Sequence, residues 1–275
     1  NCYSSRYDYW KKMEFNPNEW SSLYKHSKKV GLDFICSPFS EYSVDMLQKT
    51  GVDIFKIASG EILNDYLINK IKNTKKKIIF STGLTKISEL KKTLNLVSKK
   101  NILSVLYCVS KYPTPAKEIN LNSMIMIKNT LNVETGISDH SGTIFPSLAA
   151  YLKGGNFFEI HVTFNKKMKN FDSTSSVNFS ELKQLSEGLN FLRIMNTSKT
   201  SFLTLNHHQL KYRKLFLKNA VLVKSIAKGS KIQKKDFTFL KPKIGIGSDD
   251  LKKYIGKKTK KDLLKNHYLR KQDLF

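Results

Sequence analysis

Residues 51–61 read Gly-Val-Asp-Ile-Phe-Lys-Ile-Ala-Ser-Gly-Glu, and this run decides the fold. Its centre, residues 54–58, has the short length and the apolar, β-branched and aromatic content of a buried strand. The strand ends directly in the small and charged side chains of Ser59, Gly60 and Glu61. A buried strand followed at once by polar residues is typical of a parallel sheet with its chemistry at the carboxyl ends of the strands.

Five further runs of the same kind lie on either side. The six predicted strands are Leu32–Cys36, Ile54–Ala58, Lys77–Phe80, Leu103–Cys108, Val133–Ile137 and Phe157–Val162. Amphipathic segments lie between them, including one with apolar residues at helical spacing after a predicted cap at Thr85. Another follows Asn178, with Glu181 placed to complete a capping box. This alternation predicts a parallel sheet covered by helices, either an open doubly wound sheet or a (β/α) barrel.

The residues that follow each strand favour the barrel. Small hydroxyls, carboxylates and histidines follow every strand: Ser37, Ser59-Gly60-Glu61, Ser81-Thr82-Gly83, Ser110-Lys111-Tyr112, Ser138-Asp139-His140, and His161 with Thr163. An open sheet would concentrate such residues at one switch point, whereas a barrel distributes them around its catalytic face. No G-x-G-x-x-G or Walker A motif is present. We therefore expect a TIM-type (β/α)8 barrel, with six of the eight strands in this chain.

Composition excludes several classes of protein. With 40% hydrophobic residues in 275, the chain is globular, and it has no apolar run long enough for a membrane span. Three dispersed cysteines, Cys2, Cys36 and Cys108, indicate a reducing cytoplasm and no disulfide framework. The net charge of +26 comes from lysine, with only four arginines. Because arginine is the residue preferred for reading phosphates and bases, we expect neither a nucleic-acid nor a membrane partner.

The pattern changes towards the carboxyl terminus. Residues 213–275 predict a small, mostly β domain, after a barrel domain at 1–197 and a polar linker at 198–212. His207 and His208 lie in this linker, and a solvated linker is favoured over a metal pair because adjacent side chains point in different directions.

His140 and His161 lie at the ends of successive predicted strands, which are about 4.8 Å apart in a parallel sheet. Two neutral imidazoles could hold Mn²⁺, Fe²⁺ or Zn²⁺ and leave positions for water and substrate oxygens. The alternative is that each histidine only forms hydrogen bonds in the barrel mouth. Ser59, Ser81 and Ser138, with Lys56, would suit a phosphate and a carboxylate, although Ser-Gly pairs are also ordinary loop residues.

The ordered motifs together resemble a known family. They are residues 51–61, Phe80-Ser81-Thr82-Gly83, Tyr112-Pro113-Thr114-Pro115, Gly136-Ile137-Ser138-Asp139-His140-Ser141 and Glu159-Ile160-His161-Val162-Thr163. They resemble the sialic acid synthases, that is, N-acetylneuraminate synthase and its legionaminate and pseudaminate relatives. The tail, with Ala220-Val221-Leu222-Val223, Lys241-Pro242 and Ile255-Gly256-Lys257-Lys258, resembles the SAF (β-clip, antifreeze-like) domain of that family.

The resemblance implies a carbon–carbon bond-forming transferase. It would condense phosphoenolpyruvate with an N-acetyl hexose, either N-acetylmannosamine (ManNAc) or a 2,4-diacetamido-trideoxyhexose, and release phosphate. The implied roles are His140 and His161 for Mn²⁺ or another divalent metal, Lys56, Ser81, Ser110 and Ser138 for the phosphate, Ser37 and Ser59 for the carboxylate, and Glu61, Tyr112 and Asp172 for the sugar and the reacting carbons. A homodimer is also implied, in which the SAF domain caps the partner's barrel and Lys241 replaces an arginine that reaches the partner's sugar.

The resemblance also implies that two family strands precede Asn1, so we expect an N-terminally truncated chain with low activity. Two alternatives remain open. The chain could be a decayed, non-catalytic homologue that keeps the fold, or another phosphoenolpyruvate-condensing or aldol-type barrel enzyme.

Overall fold

The computed structural model describes residues 6–168, 170–199, 201 and 203–275. Cys2, one of the three cysteines used above, lies outside the described residues. The contacts divide the chain into two compact units, Asn1–Thr197 and Ser198–Phe275. Each unit has its own hydrophobic core.

The first unit is built on a parallel sheet, which has seven strands within the described residues. They are β1 (Ile35–Cys36), β2 (Ile54–Ile57), β3 (Lys77–Ser81), β4 (Ile102–Cys108), β5 (Thr135–Asp139), β6 (Phe157–Val162) and β7 (Ser176–Val177). Their spatial order is the same as their order in the chain, and every neighbouring pair is parallel. The sheet is curled and covered by helices, so the predicted TIM-type fold class is confirmed.

Two details of the strand prediction are wrong. The first strand keeps only two of its five expected residues, because Asp53 binds the backbone of Phe34 there: the Phe34 amide donates to Asp53 Oδ2 at 2.6 Å. The described sheet also has a seventh strand, β7, rather than six. Two residues are too few to show a period in sequence, and β7 forms only because it pairs with the end of β6, His161 opposite Ser176.

The helices of the first unit connect these strands. They are α1 (Arg6–Met13), α2 (Pro17–Lys29), α3 (Glu41–Thr50), α4 (Asp65–Asn73), α5 (Ile87–Asn95), α6 (Leu121–Leu131), α7 (Phe145–Leu152) and α8 (Phe179–Asn196). The capping box predicted for α8 is present: Asn178 Oδ1 accepts from the Glu181 amide at 2.9 Å. The cap of α5 is Lys86 rather than Thr85, because the Lys86 amide donates to Glu89 at 2.8 Å. None of the described helices is both long and apolar enough to cross a membrane.

The core of the first unit lies between the sheet and its helices. Phe55 on β2 and Phe80 on β3 are fully buried, and Leu67, Ile68 and Ile71 of α4 pack in the same cluster. Alternation along each strand sends one set of side chains into this core and the other set to the opposite face. Lys56, between the buried Phe55 and Ile57, therefore lies on the inner face of the curled sheet.

The second unit contains α9 (His207–Phe216) and an antiparallel pair, β8 (Asn219–Leu222) with β9 (Phe237–Leu240). Helix α9 begins inside the segment predicted as a linker and covers its last residues, 207–212, where Asn206 caps it through a hydrogen bond from the Gln209 amide at 2.9 Å. No residue of α9 is buried, so the sequence shows no buried apolar face there. The domain boundaries at 197 and 212 stay a prediction.

A buried carboxylate organises the end of the second unit. Asp273 is fully buried; it accepts from the Arg270 amide at 2.9 Å and from His267 at 2.8 Å, and Lys261 Nζ lies 3.2 Å away. Burial by itself would raise the pKa of Asp273, but these hydrogen bonds outweigh it and lower the pKa below its ordinary value. The carboxylate therefore stabilises this unit when it is ionised.

We predict that Gly136→Ala strongly destabilises the first unit. A Cβ at Gly136 in β5 would lie 1.8 Å from the carbonyl oxygen of Phe157 in β6, so the two strands would have to separate. Overpacking of this kind costs about 3 kcal/mol or more when the opposing atom is backbone. The measurement is chemical denaturation, with Gly60→Ala as control because a Cβ there meets nothing within 4 Å. Equal stability of the two variants would contradict the close approach of β5 and β6.

We predict that Asp273→Asn destabilises the protein at neutral pH. The expected loss is about 2 kcal/mol, because charge-assisted hydrogen bonds to a buried group are removed. Since the folded pKa is lowered, this contribution is present above the unfolded pKa of about 3.9 and is lost as the pH falls through the folded pKa. Calorimetric melting of the full chain from pH 7 to pH 3 should therefore show the variant and the wild type converging. The exposed Asp249→Asn is the control, and an unchanged melting profile for Asp273→Asn would refute the assignment.

Candidate functional site

The carboxyl ends of the strands bring polar side chains from β2 to β6 into one mouth. Lys56 comes from β2, Ser81 from β3, Cys108 from β4, Ser138 from β5 and His161 from β6, while Ser59, Ser110, Tyr112 and His140 follow strand ends. Because the strands are parallel and in sequential order, these ends lie on the same rim of the sheet. We call this group the barrel-mouth cluster.

An ion pair crosses the mouth. Lys56 Nζ lies 2.7 Å from Oε1 of Glu159, although β2 and β6 are four strands apart in the sheet. In a flat sheet those strands would lie about 19 Å apart. The contact therefore requires the curl of the sheet, and it places an ammonium group inside the mouth with its side chain only 16% exposed.

Serine hydroxyls surround Cys108 in the same mouth. Ser110 Oγ lies 4.0 Å from the Cys108 sulfur and 3.2 Å from Ser59 Oγ. Burial raises the pKa of the Cys108 thiol, while the hydroxyls of Ser110 and Ser138 act in the opposite direction. The Ser81 hydroxyl is buried and finds no hydrogen-bond partner in the described structure. A buried hydroxyl without a partner is a donor available to a ligand.

Gly83 makes room for this arrangement. Its φ is +118°, a conformation that L side chains rarely adopt, and a Cβ there would lie 2.6 Å from Ser110 Oγ. The second residue after β3 therefore has to be glycine for two reasons, the backbone conformation and the approach of Ser110. In the Ser-Thr-Gly run of residues 81–83, the glycine is thus required by the backbone, while the serine supplies a hydroxyl to the mouth.

The two predicted metal ligands lie together. The rings of His140 and His161 are 5.3 Å apart between centroids. Nδ1 of His140 lies 3.0 Å from the carbonyl oxygen of Val109, and since a carbonyl can only accept, Nδ1 carries the proton and Nε2 is free to bind a ligand. Burial lowers the pKa of His140, which keeps the imidazole in the neutral form that binds metals.

These features fit a divalent ion held by two histidines. Within the described ranges, no group of three or more His, Cys, Asp and Glu side chains gathers as a metal site, so other ligands would be solvent or substrate oxygens. A ligand set of two imidazoles plus oxygens is one that Mn²⁺, Fe²⁺ or Zn²⁺ can accept.

Three residues expected near the sugar have different surroundings. The Tyr112 ring lies 4.1 Å from that of His140, and burial, with the influence of Cys108, Asp172 and Glu159, raises the pKa of Tyr112 to about 12. The phenol is therefore neutral and able to donate a hydrogen bond. Asp172, which precedes β7, contributes to that electrostatic effect and so belongs to the same mouth. Glu61 accepts from Asn64 Nδ2 at 2.8 Å, and this holds its carboxylate at the start of α4.

Four further residues singled out from the sequence each have surroundings of their own. Ser37 follows the end of β1 and lines a cleft of about 800 Å³ beside α1, α2 and α3, together with Cys36 and Ser43. Lys241 belongs to the second unit, where its ammonium lies 4.9 Å above the ring of Phe216. His207 and His208 lie in the first turn of α9, and the His208 ring packs against Tyr212 at 4.6 Å.

Two residues of the mouth were missed by the sequence reasoning. Glu159 shares one face of β6 with His161, two residues further on, so its orientation could have been inferred from strand alternation. Cys108 is the last residue of β4 and lies between hydroxyls that were all identified. Its apolar character and the absence of a metal-ligand spacing gave no signal of a place in the site.

Known protein families and individual proteins are similar to this chain over most of its length. The NeuB family model matches residues 1–200, and the SAF domain model matches residues 220–274. The N,N'-diacetyllegionaminic acid synthase of Campylobacter jejuni is 32% identical over 263 residues, covering 94% of this chain and 78% of that protein. The pseudaminic acid synthase of Helicobacter pylori is 31% identical, covering 94% of this chain and 76% of that protein.

A solved structure of a related protein has a similar fold. The N-acetylneuraminic acid (sialic acid) synthetase of Leptospira borgpetersenii, crystallised with citrate, superposes with a TM-score of 0.66 at 28% identity. The alignment covers 74% of this chain and 72% of that one. Family model, relatives and fold agree, and the chain belongs to the NeuB family, with a carboxyl-terminal SAF domain.

Proposed function

We propose that the protein is a nonulosonic acid synthase, which condenses phosphoenolpyruvate with an N-acetylated hexose and releases phosphate. The observation that carries the proposal is the barrel-mouth cluster, in which a lysine and serine hydroxyls lie beside two histidines. The Cys108 sulfur links the two halves, 4.0 Å from Ser110 Oγ and 3.9 Å from His140 Nδ1. The names of its relatives, which are legionaminic and pseudaminic acid synthases, support the same reaction class.

The anionic substrate would be held at the lysine end. Lys56 supplies a positive charge, and Ser81, Ser110 and Ser138 supply hydroxyl donors for the phosphoryl oxygens. Ser59, which contacts Ser110, would bind the carboxylate of phosphoenolpyruvate. Ser37, which follows the end of β1 at the same rim, would share that role. These residues act mainly by positioning, which converts a bimolecular encounter into an oriented one.

The sugar would lie at the histidine end. His140 and His161 would hold Mn²⁺ or another divalent ion, which supplies Lewis acidity to a carbonyl oxygen when it is bound. Tyr112, kept neutral by its raised pKa, would donate a hydrogen bond to the sugar. Asp172, near Tyr112, and Glu61 would face the reacting carbons and orient the incoming water.

The reaction balances with these groups. C3 of phosphoenolpyruvate forms a bond to the aldehyde carbon of the open-chain sugar, and cationic character develops at C2 of phosphoenolpyruvate. A carboxylate beside C2 stabilises that charge and accepts a proton from the water that adds there, and this proton passes to the alkoxide formed from the aldehyde oxygen. The C2–O bond to phosphate then breaks as the new hydroxyl on C2 gives its proton to the departing phosphate, which leaves inorganic phosphate and a 2-keto acid.

The assembly of the enzyme also belongs to this proposal. We propose a homodimer in which the SAF domain covers the partner's barrel mouth and Lys241 reaches the partner's sugar. The support is the family membership, together with the exposure of Lys241 in the second unit. A sedimentation mass of one chain would contradict it.

We predict that the protein releases phosphate from phosphoenolpyruvate only when an N-acetyl hexose and a divalent metal are present. The assay measures phosphate with Mn²⁺, with and without EDTA, against a panel of ManNAc and 2,4-diacetamido-trideoxyhexoses. The sugar that supports release identifies the substrate. Release without any sugar would point to another barrel enzyme, and no release from a folded product would favour the decayed homologue.

We predict that His140→Ala and His161→Ala each weaken Mn²⁺ binding by at least about tenfold, because one of two protein ligands is lost. Binding is measured by calorimetric titration of Mn²⁺ and, separately, activity by phosphate release. His208→Ala is the control, since His208 lies in α9 and contacts Tyr212 rather than the mouth. Mn²⁺ affinity that is unchanged in both histidine variants would refute the metal site.

A further inference from the structure

The ion pair between Lys56 and Glu159 raises a question about the proposed phosphate site. Lys56 is the cation that would bind the phosphoryl group, yet the carboxylate of Glu159 is already 2.7 Å from its ammonium. Strand pairing places Glu159 opposite Ser138, another of the proposed phosphate ligands. A negative charge at this position repels an incoming anion and competes with it for the same lysine.

A contribution to the free energy of folding does not explain why the carboxylate of Glu159 lies beside Lys56. The side chains of the pair are 16% and 39% exposed, and ion pairs of this kind contribute little net free energy of folding. The second carboxylate oxygen, Oε2, is buried and has no hydrogen-bond partner among the described residues. Part of the free-energy cost of desolvating Glu159 is therefore not offset by a hydrogen bond. The ion pair between Lys56 and Glu159 can for that reason be exchanged for another contact of Lys56.

We propose that Glu159 is the internal counter-ion of Lys56. The ion pair between them breaks when a phosphoryl group binds to Lys56, and it forms again when inorganic phosphate departs. The identification of that anion rests on the proposed function. By competing for Lys56, Glu159 weakens the binding of the phosphate product and keeps the site from being blocked by it. Glu159 is thus a positioning residue that acts through Lys56 on the affinity of the anion.

The first consequence concerns Glu159→Gln. The amide keeps the shape of the side chain but removes its charge, so Lys56 is left without an ionic partner and the repulsion of the anion disappears. We expect inorganic phosphate to bind about tenfold more tightly than in the wild type, from the Coulomb energy of neighbouring unit charges at a protein surface. Glu159→Asp, which keeps the charge, should restore an affinity close to that of the wild type.

The experiment is calorimetric titration of inorganic phosphate at constant ionic strength into the wild type and four variants, Glu159→Gln, Glu159→Asp, Glu134→Gln and Lys56→Gln. Glu134→Gln is the matched control, because it removes the same charge at an exposed position before β5, where Glu134 accepts from Asn156. Lys56→Gln should abolish the binding that Glu159→Gln strengthens. Melting curves of all variants show that each is folded before it is titrated.

The outcomes separate the inference from the proposed function. Phosphate binding that is tighter in Glu159→Gln than in Glu134→Gln supports the counter-ion, even when no sugar gives turnover and the proposed reaction is wrong. Equal or weaker binding, or no phosphate binding in any variant, overturns it. In an active enzyme, Glu159→Gln should also lower KM for phosphoenolpyruvate and strengthen inhibition by phosphate, with a larger effect on these constants than on kcat.

Discussion

The curl of the parallel sheet is the constraint on which the rest of the first unit depends. It lets side chains from strands four apart meet, as Lys56 and Glu159 do, and it turns the carboxyl ends of β2 to β6 towards a shared mouth. Curl of this degree needs close packing between adjacent strands, and Gly136 allows it where β5 approaches the Phe157 backbone. The helices outside the sheet then cover the apolar face that the curl creates.

The mouth combines two chemically different halves at short range. One half is rich in hydroxyls around a neutral thiol, with Ser81 left without a partner; the other holds two imidazoles beside a neutral phenol. Burial favours the uncharged forms of His140 and Tyr112, while Lys56 pairs with the carboxylate of Glu159. Such an arrangement can accommodate an anion and a polarisable carbonyl side by side, because one half offers hydroxyl donors and the other offers two imidazoles and a neutral phenol.

Much of this could be predicted from the chain. Short apolar runs followed by Ser, Asp and His identified six of the strands and the rim that carries the polar residues. This was possible because the apolar pattern of a strand and the polar residues that follow it are local properties of the sequence. The capping box of α8 was equally local. The boundaries of β1 and the presence of β7 were not predictable, because Asp53 binding Phe34 and the pairing of Ser176 with His161 do not appear as periodicity. The helix α9 was missed although its capping residues, Asn206 and Gln209, stand at the same spacing as those of α8.

The fold class, the family resemblance and the residue types at the strand ends could be read from the chain alone, because these depend on local pattern. Which of those residues meet depends on the tertiary structure. It paired Lys56 with Glu159, a residue 103 positions away in the chain (159 − 56), and it placed the Cys108 sulfur beside the hydroxyl of Ser110. Such contacts depend on the curl of the whole sheet, which is a property of all the strands together and of no single segment.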